Sequence, residues 1–83
     1  MTFRVLIEKG ALRDLKKLDR ATAERIARKL QAVASRGYGF EPLTILEYGW
    51  KIRIGDHRAL CDIDFTESVI RVHVIGHRRE VYR

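Results

Sequence analysis

The chain has 83 residues, seventeen Lys or Arg against eleven Asp or Glu, giving a formal net charge of +6 and a pI near 10.0. That length holds one small domain spanning 1–83 with a single core, and 46% hydrophobic with 34% charged residues excludes a disordered chain. The early apolar run Val5-Leu6-Ile7 is too short for a secretion signal or membrane span, and the single Cys61 excludes an internal disulfide or a Cys-based zinc cluster, so a cytoplasmic protein is expected.

Thr2 to Glu8 sets Phe3, Val5 and Ile7 against Thr2, Arg4 and Leu6, the two-residue period of a strand. From Lys9 the period changes: Ala11, Leu12, Leu15 and Leu18 recur every three or four residues, predicting a short amphipathic helix. Asp19 is the expected N-cap of a second helix from Arg20 to Ser35. Its apolar stripe reads Ala23, Ile26, Ala27, Leu30, Val33 and Ala34, with Arg25, Arg28 and Lys29 toward solvent or an acidic partner. Arg36-Gly37-Tyr38-Gly39 breaks it, since glycine takes the positive φ that ends helices.

The remainder reads as strands. Leu43 to Tyr48 is a weak strand or lead-in, and Trp50, Ile52 and Ile54 then alternate with Lys51 and Arg53. Gly55-Asp56-His57 supplies a turn, Arg58 to Phe65 a strand, Thr66-Glu67-Ser68 a second turn, and Val69 to Ile75 a β-branched strand. The expected fold is α+β in the order βααβββ: a twisted, antiparallel-type sheet with a helical hairpin packed on one face. The other face is expected to be open and basic.

That face carries the candidate chemistry. Lys51 and Arg53 are two apart and share a side, with Arg58 across the turn, while Gly76 is followed by His77, Arg78, Arg79 and Tyr82. Convergent cations stabilise the charge that grows on a phosphate during cleavage, and an aromatic ring stacks on an unpaired base. His57, His73 and His77 match no zinc spacing, so neither a metal nor a cofactor is expected; His73 is read as structural or paired with an acid, and Cys61 as an inert core thiol.

The segments ALRDLKKLDR (11–20), WKIRIGDHRAL (50–60) and VIGHRREVYR (74–83) resemble the RelE/ParE toxin superfamily, specifically RelE-like mRNA interferases. The resemblance implies the RelE-like microbial ribonuclease fold and a ribosome-dependent endoribonuclease that cuts mRNA without a metal, the ribose 2′-hydroxyl attacking the adjacent phosphate and expelling the 5′-oxygen. It implies Lys51, Arg53, Arg58, Arg78 and Tyr82 as the catalytic set. His77, within the same cluster and able to change charge near neutral pH, joins them as a candidate acid or base, and Lys51, Arg53, Arg58, Arg78 and Arg79 are read as binding RNA. It also implies the ribosome, mRNA and a RelB-like antitoxin as partners, in a hetero-oligomeric complex. Arg53 stands where the best-known members carry lysine, and arginine holds its proton too firmly to act as a base, which leaves Lys51 or His77 for that role. The alternatives are a ParE-like toxin that inhibits DNA gyrase and an inactive relative that only binds nucleic acid.

Overall fold

The structure is a computed structural model that describes residues 2–44 and 47–82. Its elements are β1 (Arg4–Ile7), α1 (Lys9–Lys16), α2 (Arg20–Arg36), β2 (Phe40–Pro42), β3 (Trp50–Ile54), β4 (His57–Asp64) and β5 (Val69–His77), with the strands in spatial order β1-β5-β4-β3-β2. The fold is the expected α+β arrangement with two refinements. The sheet is mixed, because β1 runs parallel to β5 while every other pair is antiparallel. It also has a fifth strand: β2 precedes the Leu43–Tyr48 segment expected to be a strand or lead-in, and Ile45 and Leu46 of that segment lie outside the described residues. Pro42 has no N–H to donate, which a strand tolerates only at an edge, and β2 is the edge.

The helical hairpin carries the chain from one edge of the sheet to the other. Asp19 caps α2 as expected: its carboxylate accepts from the Thr22 amide at 3.1 Å and the Thr22 hydroxyl at 2.6 Å. The hydroxyl first, then the amide, hold its pKa below the usual carboxylate value. At the other end Gly37 takes φ 79° and its N–H donates to the Val33 carbonyl. Between the caps, Ile26, Leu30, Val33 and Ala34 bury against Phe3, Ile52, Ile54, Ala59, Cys61, Ile70, Val72 and Ile75. Each large side chain so buried contributes about 1.5–3 kcal/mol. Ala27, expected in this stripe, is exposed instead.

α1 does a different job. β1 pairs with β5 only as far as Val72, so the rest of that β5 edge would present bare backbone groups. Asp14 of α1 accepts from the Ile75 amide at 2.9 Å, and a Cβ on Gly10 would stand 3.2 Å from the His73 carbonyl oxygen. The helix therefore seals the edge by close approach, while α2 covers the face.

β3 and β4 are joined by the two residues Gly55 and Asp56, with Gly55 at φ 58°. A positive φ at the first loop residue is what a tight type II′ hairpin turn demands, and any side chain there is strained. Gly55→Ala is expected to destabilise the protein by about 1–2 kcal/mol. Thermal unfolding should show the midpoint lowered by several degrees, and an unchanged midpoint would refute this account of the turn.

Candidate functional site

The register of the strands decides which of the predicted side chains meet. Arg53 lies opposite Arg58, and Arg58 opposite Gly76, on the face turned away from α2; Lys51 shares that face, opposite Leu60. The face is not open, as expected from the sequence, but partly roofed by the end of the chain. Beyond β5 the backbone turns back, with the Glu80 and Val81 amides donating to the His77 carbonyl at 2.9 and 3.0 Å. Val81 then settles over Gly76, where a Cβ would lie 3.5 Å from its own Cβ, and Leu60 is only 2% exposed. Tyr82 comes over Lys51, whose Nζ is 5.8 Å from the ring centroid, within cation–π range.

Arg58 is the most altered of the candidates. It is 7% exposed, and its Nη1 donates to the Gly55 and His57 carbonyls, both at 2.8 Å. The guanidinium braces the β3–β4 turn from inside. Arg78 is tied to the same turn: its amide donates to the Asp56 carbonyl at 2.7 Å, and its Nε lies 3.8 Å from the Asp56 carboxylate. Arg53 lies 3.8 Å from Glu41 of β2, an acid directly opposite Lys51 in the register. Glu41 is a member of this site that the sequence reading missed, because the strand carrying it was not recognised.

His77 lies on the other side. Pairing passes from Leu60↔Val74 to Cys61↔Val72, so His73 is an extra residue in β5 and the faces exchange there. Ile75 thus joins the core, and His77 pairs with His57 on the side of α2, their ring centroids 5.7 Å apart. Its Nδ1 accepts from the Arg79 amide at 3.2 Å, which engages the lone pair a neutral imidazole would use as a base. Arg79 itself is exposed. His73 has the acidic neighbour expected of it: its Nε2 is 3.1 Å from Asp62 Oδ2, and its ring stacks on Tyr48 at 4.6 Å. Burial, with the Asp62 charge adding to it, pushes the Cys61 thiol up to about 12, so it stays protonated and inert near neutral pH. Among the described residues no three His, Cys, Asp or Glu side chains cluster as a metal site, and no helix is long and apolar enough to cross a membrane.

The sequence matches the profile of the ParE toxin of type II toxin–antitoxin systems over residues 5–82. The chain belongs to that family. The superfamily implied by the motifs therefore stands, but the profile does not single out its RelE-like branch. Among solved structures, this ParE-family toxin is similar in fold to the Mycobacterium tuberculosis RelBE2 toxin–antitoxin complex, with TM-score 0.82, 21% identity and 96% and 95% of the two chains covered. It is similar to a free-state double mutant of the Escherichia coli toxin RelE, with TM-score 0.78, 20% identity and 99% and 90% covered. The archaeal RelE–RelB complex of Pyrococcus horikoshii follows with TM-score 0.69, 23% identity and 98% and 100% covered. No curated protein matches the sequence.

Arg58→Met keeps a long buried side chain but removes the donors to both turn carbonyls. We expect a loss of about 2 kcal/mol in urea unfolding, since hydrogen bonds from a charged group contribute about 1.5–3 kcal/mol. Lys51→Met, at a partly exposed position, should change stability by less than about 0.5 kcal/mol. Equal effects from the two substitutions would contradict the bracing role.

Proposed function

We propose that this toxin acts in the ParE manner, poisoning DNA gyrase by binding it and not by cutting RNA. The observation that carries the reading is the buried Arg58, whose guanidinium is bound to two backbone carbonyls and so does not face a phosphate. Arg78 and Arg53 beside it lie near Asp56 and Glu41, and the lone pair of His77 is engaged. A transition state gathering charge on phosphate needs donors already aimed at it. A binding surface needs only shape and complementary charge. The profile match over nearly the whole chain supports the same branch.

A second reading, ribosome-dependent mRNA cleavage, has one specific observation in its favour: Lys51 and Tyr82 come together on the face that also carries Arg53. There Lys51 would take the proton of a ribose 2′-hydroxyl as its oxygen bonds to phosphorus. The bond to the 5′-oxygen would break to leave a 2′,3′-cyclic phosphate, the departing oxygen taking a proton from water with Arg78 beside it, while Tyr82 held the base. Arg58 would first have to leave the turn carbonyls. In both readings the partner that silences the toxin is an antitoxin, as in the complexes of the structurally similar proteins.

Two assays on purified toxin separate the readings. The ParE reading predicts that plasmid supercoiling by gyrase is inhibited, while primer extension on ribosome-bound mRNA shows no new ends. Codon-linked cuts with supercoiling untouched would overturn it in favour of cleavage.

A further inference from the structure

The positive charge of this protein is not where its candidate site is. Residues 9–36, the helical hairpin, hold nine Lys and Arg against three Asp and Glu, whereas all other residues together hold eight of each, so the whole formal charge of +6 belongs to the hairpin. Pairing sharpens the contrast. On the sheet, Arg53 lies near Glu41, Arg71 near Glu8 and Arg78 near Asp56. In the hairpin each acid is already engaged: Asp14 with the Ile75 amide, Asp19 with Thr22, and Glu24 with Arg20.

What remains on α2 is an ordered stripe. Arg25, Arg28, Lys29 and Arg36 are all exposed, and among the described residues none has a carboxylate within 4.0 Å. At 3.6 residues per turn they fall within an arc of about 100° and extend along about 16 Å of the helix. The other residues on that arc are Ala21 and Ala32, so the stripe is flat and lacks a large apolar anchor. Arg25 carries it to the β3–β4 turn, its Nη2 lying 3.8 Å from where a Cβ of Gly55 would be. Like charges at i,i+3 and i,i+4 repel along a helix, and only Arg36 is placed to gain from the helix dipole. The stripe is therefore not arranged for the stability of α2.

We propose that this outward face of α2 is a docking surface for the phosphodiester backbone of a nucleic-acid duplex. Closely spaced cations without apolar anchors suit a regular line of phosphates, where binding is driven by release of condensed counterions. An acidic amphipathic segment of a protein would instead look for pockets for its apolar side chains, and the stripe has none. The surface is separate from the Lys51–Tyr82 face, and the proposal does not depend on either activity.

The test measures fluorescence anisotropy of labelled double-stranded RNA and double-stranded DNA of one sequence against the full toxin across a salt series, without gyrase or ribosomes. Neutralising three phosphate contacts in Arg25→Gln/Arg28→Gln/Lys29→Gln should make the plot of log K against log salt shallower by about 2.7. Its thermal midpoint reports that it remains folded, and the charge-conserving Arg25→Lys/Arg28→Lys should keep the wild-type slope. A preference for RNA or for DNA with the expected change of slope supports the proposal and names the ligand. A wild-type slope in the glutamine variant, no binding by the wild type at low salt, or tighter binding to polyglutamate than to either duplex would overturn it.

Discussion

The guanidinium of Arg58, held by the carbonyls of Gly55 and His57, organises the end of the molecule where its candidate site lies. Gly55 lies in the two-residue turn and His57 opens β4, both carbonyls accept from Arg58 Nη1, and acceptors left without donors are costly. Arg58, next to His57 on β4, supplies those donors. The turn so fixed presents Asp56, whose carbonyl and carboxylate receive Arg78, and Arg78 begins the reversal that brings Val81 onto Gly76 and Tyr82 over Lys51. A strand arginine that reads as a phosphate ligand is thus the brace of a local structure built from both ends of the sheet.

This arrangement bears on how one fold serves different toxins. On the proposed reading, whether this sheet cleaves or only binds would depend on whether its cations are available or internally engaged. Outside the hairpin the chain has as many acids as bases, and Arg53, Arg58, Arg71 and Arg78 lie beside acids or carbonyls. Unbalanced charge sits on the helices. Long-range attraction to a polyanion would then be exerted by one surface and specific contact by another, which separates the rate of encounter from the identity of the target.

Much of the fold was legible because it is local. The Asp19 cap, the Gly37 stop, the buried Ile26–Leu30–Val33–Ala34 stripe and the Gly55 turn each follow from a few neighbouring residues. β2 was not legible: three residues ending in proline carry no period. The site was legible in its residue types and in the shared face of Lys51 and Arg53, but not in its partners. A two-residue period from Ile70 and Val72 would set His77 on the side of Lys51; the extra residue His73 moves it to the side of α2, and no local pattern announces that bulge. Gly76 within a strand was the one available sign that another segment approaches closely there.

Arg58 is coupled to the end of the chain through the turn, and hydrogen exchange at the Arg78 backbone amide measures that coupling directly. That amide donates to the Asp56 carbonyl at 2.7 Å, a bond that exists only while the turn holds its shape. In the wild type it should exchange slowly, and in a protein lacking the Arg58 guanidinium but still folded it should exchange nearly as fast as an unprotected amide. Equal protection in both proteins would contradict the account.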